Sequence, residues 1–410
     1  MTPSQSPLSS TLAEAAPVDD FERIMAAIDE AAGMLEATNE ESESRGELAP
    51  DVARWLKDLR LATLLLPKDL GGYAMSPTQA LTIWEKIAYL QASAGWVGFI
   101  HAGIGFICAG YMGKAGTDIL FAPGTSYSMA GAGAPTGVAE KVSGGYRVTG
   151  RWSYGSGVTI ADYSRSGAVL HIDGEPQLDA RGRPIVVSVY LPTDKMVNEG
   201  NWDVLGLQGT GSIDYSYHDV FCPDALAYDT LTTEPKRDPA TFQIGAMGVA
   251  SLGHSSVAVA LGRRILDEVA AFARKRSMRS DISGKSDSFW EEFARMEARV
   301  RAARAFLFEV WHEVEGHMAQ GKVMPTRLHT LIRLSAHEVH AAGAAAADFA
   351  YRAAGGAALR RGVIQRLFRE MYVAIQHLIV SPLILRGCGR ELMGAAPGQV
   401  WDLYELIDPS

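Results

Sequence analysis

The 410-residue sequence contains only three cysteines, Cys108, Cys222 and Cys388, which lie far apart. This spacing fits neither a metal-binding cluster nor a disulfide framework, so we expect free thiols in a reducing cytoplasm. Clustered positive charge is also lacking, because the net charge is −9 and the basic residues are dispersed. Nucleic-acid binding depends on clustered lysine and arginine, and the composition disfavours that class of protein.

Long apolar runs are lacking as well. No uninterrupted run of 18 apolar residues occurs, so we expect no segment that spans a bilayer. The first 20 residues, MTPSQSPLSSTLAEAAPVDD, have neither a basic start nor an apolar core, and we expect no secretory signal there. Their proline and serine content predicts a disordered arm over residues 1–18. The remainder has the balance of an ordinary globular chain, with 47% hydrophobic and 21% charged residues.

The hydrophobic pattern divides the chain into three predicted domains. Residues 19–125 show the i, i+3, i+4, i+7 spacing of amphipathic helices. Residues 126–236 contain short runs rich in Val, Ile, Tyr and Thr between Gly, Asp and Pro, which predicts an antiparallel β domain with a hairpin at GEPQLDARGRP. Residues 237–410 are helical again. The order of the regions indicates separate helical and β layers and not alternating βαβ units.

The C-terminal region predicts an antiparallel bundle of four long helices. We place them at 242–278, 286–321, 326–354 and 363–388. On the last helix Arg366, Glu370, Val373 and His377 share one face, opposite an apolar stripe. Spacing alone favours a solvated polar face for these four residues.

Other motifs favour no alternative chemistry. The stretch AGAGAPTG at 130–137 is followed by β structure, whereas a dinucleotide-binding loop is followed by a helix, so an ordinary loop is the better interpretation. His337 and His340 are three residues apart, not four as in zinc proteases, and a third ligand is lacking. No G-x-S-x-G nucleophile turn occurs, which leaves hydrolase chemistry unsupported.

Four strings in the right order resemble the acyl-CoA dehydrogenase fold. They are LLLPKDLGGYAMSPTQALTIWEKIAYLQASAGW, GGYRVTGRWSYGSGVTIADY, LGLQGTGSIDYSYHDVFCPD and AAGGAALRRGVIQRLFREM. The resemblance implies a mainly α fold with a central β domain, preceded by an N-terminal helical domain and followed by a C-terminal four-helix bundle. It also implies a homotetramer assembled through that bundle.

The carboxylate base of an acyl-CoA dehydrogenase is missing from both places where the family keeps it. The slot after the last-helix Arg–Asp pair falls at Leu378, beside His377. The other slot, on the first helix of the bundle, lies in residues 243–262, which contain no Asp or Glu. These departures resemble the two-component, group D flavin-dependent monooxygenases of the same superfamily, which share a Trp–x–x–x–Ser–Gly loop and a C-terminal His.

That resemblance implies the oxygenase component of a two-component monooxygenase. A separate reductase would supply reduced FMN or FAD, which reacts with O2 to give a C4a-hydroperoxide that hydroxylates an organic substrate, expected from the branch to be aromatic or polyketide-like. The implied catalytic residues are His377, Ser156 and, on the N-terminal helix, His101. The implied cofactor-binding residues are Trp152, Ser156, Gly157, Gly131, Gly209 and Thr210.

Three alternatives remain open from the sequence. The first is an acyl-CoA dehydrogenase or oxidase with a displaced base. The second is an N- or S-oxygenase of the same branch, because the pocket decides which atom is attacked. The third is a non-catalytic flavin-binding scaffold. Three single residues also have a purely structural interpretation. Trp152 could belong to the core of the β domain, and Ser156 could be a turn residue. His101 could be a buried histidine that bonds a backbone group.

Overall fold

The computed structural model describes residues 19–232, 234–277 and 287–409. Its N-terminal part is helical, as the periodicity predicts. The helices are α1 Asp20–Ala37, α2 Asn39–Arg45, α3 Pro50–Asp58, α4 Pro77–Leu90, α5 Ala92–Tyr111 and α6 Lys114–Leu120. The start of α4 is fixed by a capping box between Ser76 and Gln79, which satisfies backbone donors of the first turn. The predicted disordered arm at 1–18 lies outside the described residues.

A twisted sheet follows. Its strands are β1 Met129–Ala130, β2 Gly137–Val142, β3 Gly145–Gly155, β4 Tyr163–Ile172, β5 Glu175–Pro176, β6 Val186–Pro192, β7 Val197–Gly200, β8 Ile213–Pro223 and β9 Ala227–Asp229. The main strand order is β7-β8-β3-β2-β4-β6-β9. The predicted hairpin joins β4 to β6, which pair antiparallel.

The prediction of a purely antiparallel sheet is wrong. Strand β4 pairs parallel with β2 and with β1. The reason is the connection from β3 to β4, which passes over β2. Strand β4 therefore lies on the side of β2 that faces away from β3, and both β2 and β4 run antiparallel to β3.

The C-terminal part is a helical bundle. Its helices are α7 Pro239–Phe242, α8 Gly245–Ser277, α9 Asp287–Ala319, α10 Thr326–Ala354, α11 Val363–Ala374 and α12 Pro382–Leu392, and a hairpin of β10 Val400–Asp402 and β11 Glu405–Ile407 follows. The predicted domain boundaries, 125/126 and 236/237, fall between α6 and β1 and between β9 and α7. The division into three domains stays a prediction.

The last predicted helix, 363–388, is two helices in the structure. Helix α11 ends at Ala374, a 3-10 turn covers Leu378–Val380, and α12 begins with Pro382. Proline has no N–H and its ring disfavours a helical conformation for the preceding residue, so one helix cannot run through this point. His377 therefore lies in the connection between α11 and α12 and not on a helix face.

Helices α5 and α8 are long and apolar enough to cross a membrane, although the sequence contains no uninterrupted apolar run of that length. Buried residues make up 83% of the apolar window of α5 and 78% of that of α8. Extensive burial inside the fold is what a core helix requires, and an all-round apolar helix is typical of such a position. The apolar composition of both helices is therefore accounted for by the core.

Candidate active site

Ser156 lies where the loop after β3 meets α5. Its Oγ accepts hydrogen bonds from Trp96 Nε1 at 3.1 Å and from Ser212 Oγ at 2.7 Å. A hydroxyl has two acceptor sites and one proton to donate. With both acceptor sites used, the Ser156 O–H proton is left for a bound molecule, and the side chain is only partly buried.

The next residue fixes the shape of this loop. Gly157 has a φ of +71°, a left-handed conformation that favours glycine. Its N–H donates to the carbonyl of Thr210 at 2.8 Å, and its carbonyl lies 3.2 Å from His101 Nε2. The loop, α5 and the turn before β8 are thus held together at one point.

A chain of ring contacts connects Ser156 to His377. The Trp96 ring packs edge-on against the His254 ring, with centroids 4.6 Å apart. His254 in turn lies against His377, with centroids 3.9 Å apart. Phe99 flanks His254 at 4.7 Å. Side chains from α5, α8, the β3 loop and the α11–α12 connection therefore converge on one site.

The histidines of this site are held neutral. Burial lowers the pKa of His377 to about 4 and that of His101 to about 4. Burial also places the pKa of His254 well below its ordinary value, helped by the nearby His377 and His340. Transferring a charged imidazole away from water is unfavourable, which is why the neutral form is preferred.

The hydrogen bonds assign the tautomer of His377. Ile379 N–H donates to His377 Nδ1 at 3.3 Å, so a neutral His377 carries its proton on Nε2. His254 Nδ1 has no hydrogen-bond partner, and neither does Nε2 of the buried His340. The site thus offers His377 Nε2–H as a donor, while His254 Nδ1 and His340 Nε2 are buried without a partner among the described residues.

The structure separates the predicted cofactor residues into two groups. Ser156, Gly157 and Thr210 meet as described, and Gly209 adjoins them: a Cβ there would lie 2.8 Å from Ser42 Cβ. The other group consists of Trp152 and Gly131, which are packed into the sheet.

Trp152 is 0% exposed. Its indole N–H donates to the Gly167 carbonyl at 2.8 Å, and its ring stacks on Tyr215 at 5.6 Å. A Cβ on Gly131 would lie 2.4 Å from the Arg165 carbonyl oxygen. These surroundings favour a core position for the Trp152 ring over a place beside a ligand.

Sequence reasoning missed three members of the site, Trp96, His254 and Ser212. Trp96 and His254 lie on apolar helical stretches, where the pattern indicates only burial. One available signal was polar residues inside α8, where His254 stands among Ser251, Ser255 and Ser256 in an otherwise apolar run. Buried polar groups without a structural partner are uncommon and indicate a functional role.

Among the residues that the structure describes, no carboxylate occupies the place of a dehydrogenase base. Leu378, at the predicted slot, is 59% exposed, and α8 carries no acid near His254. The buried carboxyl of Glu370 has its pKa raised to about 7 by burial, but its charged neighbours are Arg366, Glu43, Arg369 and Arg264. Glu370 therefore belongs to a different cluster from the histidines.

The donor set fits a flavin. A flavin ring presents nitrogen and oxygen acceptors along one edge and flat apolar faces. The Ser156 O–H is available to such an acceptor, and the Trp96 and Phe99 rings supply apolar neighbours. Within the described ranges, no three His, Cys, Asp or Glu side chains are placed to hold a metal ion.

Comparison with known proteins finds a matching family model and relatives along most of the chain. Residues 252–382 match the family described as acyl-CoA dehydrogenase, C-terminal domain. Indole-3-acetate monooxygenase of Pseudomonas putida is 27% identical over 360 residues, which cover 87% of this chain and 90% of that protein. The flavin-dependent monooxygenase oxygenase subunit HsaA of Rhodococcus jostii is 26% identical over 372 residues, which cover 84% of this chain and 91% of that protein.

Among solved structures, XiaF from Streptomyces sp. in complex with FADH2 and glycerol has a TM-score of 0.81 at 20% identity, covering 91% of this chain and 96% of XiaF. The fold is therefore that of the acyl-CoA dehydrogenase superfamily, as the sequence predicts. Within this superfamily the chain is similar to flavin-dependent monooxygenases, because the relatives that match most of its length are named as monooxygenases.

Proposed function

We propose that the protein is the oxygenase component of a two-component monooxygenase that hydroxylates a small organic molecule, aromatic or polyketide-like. One atom of O2 enters the substrate and the other leaves as water. A reduced FMN or FAD, when bound, supplies the two electrons. The names of the relatives as oxygenase subunits support a separate flavin reductase as transient partner, and we place the protein in the cytoplasm.

The observation that supports this proposal best is the Ser156 hydroxyl, which accepts two hydrogen bonds and keeps its own proton available for a bound molecule. Ser156 would donate this proton to an acceptor on the flavin ring, while Trp96 and Ser212 hold its oxygen in place. Gly157 and Thr210 fix the backbone beneath it. Oriented donors in a site closed to water stabilise developing charge more than donors that must reorganise.

The histidines would handle the substrate proton. His377 Nε2–H would donate a hydrogen bond to an oxygen of the bound substrate, and the neutral His254 ring, which lies tilted against it, would hold the His377 ring in place. Positioned acid–base groups of this kind contribute roughly 10²–10⁴-fold to a rate. His101 holds the Gly157 carbonyl, which makes it a positioning residue.

Rapid mixing tests the proposal. Protein with chemically reduced FMN, held without oxygen, is mixed with oxygenated buffer, and the return of oxidised-flavin absorbance is followed together with H2O2. We expect the wild type to delay this return, and Ser156→Ala to shorten the delay about tenfold or more, the effect of losing roughly 1.4 kcal/mol.

The matched control is Ser143→Ala in the exposed turn between β2 and β3, which should behave as wild type. Flavin reoxidation at the rate of free flavin, in the wild type, would contradict the oxygenase proposal. A delay that persists in Ser156→Ala would contradict the role of Ser156 alone.

A further inference from the structure

A cavity of about 370 Å³ lies beside α8 and α10, the helices that carry His254 and His340. Its wall includes Arg165 and Tyr228 from the sheet, Met247 from α8, Arg333 from α10, and Trp401 from β10. None of these residues belongs to the site described above. The cavity therefore needs its own explanation.

Arg333 is buried in the wall of this cavity without a counter-charge. It is 4% exposed. Its Nη atoms donate to the carbonyls of His329 and Leu403 at 3.0 Å each, its guanidinium lies 4.4 Å from the Trp401 ring centroid, and its Nε has no hydrogen-bond partner. Burial lowers the pKa of Arg333 to about 10, so the side chain remains charged at neutral pH.

Arg165, which is half-buried, is a second cation in the wall of this cavity. Its Nε and Nη2 share one acceptor, Ser188 Oγ, at 3.2 and 3.0 Å. Within the described ranges no carboxylate lies within 4.0 Å of Arg165 or of Arg333, and the one acid in the wall, Asp402, pairs instead with Arg183 at 3.4 Å. The buried Arg333 without an anion carries a desolvation cost that a bound anion would offset, and the half-buried Arg165 adds a second positive charge in the same wall.

The cavity is aligned with the histidines. Met247 and His254 are seven residues apart on α8, and Arg333 and His340 are seven apart on α10. Seven residues are about two turns, so each pair shares a helix face at a separation of about 10 Å. Between them on α8 lies Ser251, which is buried and whose Oγ has no partner.

We propose that the Arg165–Arg333 cavity binds an anionic group of the substrate, a carboxylate or a phosphate, while the end to be oxidised lies at the His254–His377 pair. The inference rests on the proposed function for the location of the chemistry. The substrate is then an elongated anion whose charged end and reacting end are separated by about two helical turns.

Binding to the flavin-free protein tests this proposal by calorimetry. The probes are phenylacetate, phenyl phosphate and the neutral phenylacetamide, which share one ring and differ in charge. We expect at least one of the anions to bind tenfold or more tightly than phenylacetamide. A preference for phenylacetate assigns a carboxylate, and one for phenyl phosphate assigns a phosphate.

Arg333→Met should remove the preference, and Arg333→Lys should retain part of it. Arg165→Met gives a second test if Arg333→Met fails to fold, as judged by its circular dichroism spectrum. The control is Arg295→Met, an exposed α9 residue paired with Glu291, which should keep the full preference.

Equal binding of anions and amide by the wild type, or a preference that survives both Met substitutions, would overturn the proposal. The measurement needs neither flavin nor O2. The binding preference for anions can therefore be found even if the protein is not an oxygenase. Equally, the absence of such a preference would not alter the outcome of the flavin reoxidation experiment.

Discussion

Trp96 is the residue that joins the two halves of the candidate site. Its indole N–H donates a hydrogen bond to Ser156 Oγ. Its ring packs in edge-on contacts with the rings of Phe99 and His254. Trp152 has the same side chain and stands in the more conspicuous motif, but its N–H is used inside the sheet. Trp96 contributes to the site because it bonds Ser156, which lies 60 residues further along the chain. The local sequence pattern around either tryptophan could not reveal such a contact.

At His377, a change to Phe removes the Nε2–H donor and keeps a flat ring against His254. We expect hydroxylated product from a panel of phenols and indoles to fall about 10²-fold or more, since one positioned proton-transfer group is lost. The amount of H2O2 released per reduced flavin should rise, because more flavin is oxidised without hydroxylation of a substrate. Chromatography of products and an H2O2 assay measure both quantities.

The matched change is His312→Phe on the exposed face of α9, and we expect it to leave product yield unaltered. Normal product yield from His377→Phe would show that this histidine takes no part in the reaction.

At the scale of elements, the site is assembled by connections and by helix interiors. The extents of α8, α9 and α10 could be predicted closely from periodicity and from Gly and Pro. Pro382 could also have indicated the break before α12. The apolar residues on both sides of it instead favoured the prediction of one continuous helix. The parallel pairing of β2 with β4 could not be predicted, because strand alternation is the same in either direction and only the crossover decides it.

The loop after β3 depends on a missing Cβ. A Cβ at Gly157 would lie 2.7 Å from His101 Nε2 and 2.7 Å from Val97 Cγ1. We expect Gly157→Ala to displace α5 side chains and to lower the free energy of unfolding by about 2–3 kcal/mol, from backbone strain plus overpacking. Chemical denaturation measures the change, and FMN titration should show weaker binding.

Gly144→Ala separates strain from crowding. Gly144 also has a left-handed backbone, with φ +77°, but a Cβ there meets nothing within 4 Å. We expect it to cost about 1 kcal/mol and to leave FMN binding unchanged. Equal effects of the two substitutions would refute the contact between Gly157 and α5.

At the scale of the whole molecule, the C-terminal helices leave an apolar surface uncovered. Five large hydrophobic side chains are exposed between residues 359 and 393: Leu359, Leu378, Leu383, Leu385 and Met393. Exposed apolar clusters of this kind mark protein interfaces. They support the proposal, first implied by the resemblance, of a homotetramer assembled through the bundle. The sequence could not show this directly, because only the fold determines which apolar side chains remain exposed.

Leu383→Glu tests that assembly, since Leu383 on α12 is 46% exposed and a buried carboxylate at an interface is unfavourable. We expect the wild type to sediment as a tetramer and Leu383→Glu to shift it towards dimers or monomers in analytical ultracentrifugation. The comparison is Leu178→Glu, which changes a 56% exposed leucine of the β hairpin and should leave the tetramer intact. A monomeric wild type, or a tetramer indifferent to Leu383→Glu, would exclude α12 from the interface and leave the exposed leucines to another partner.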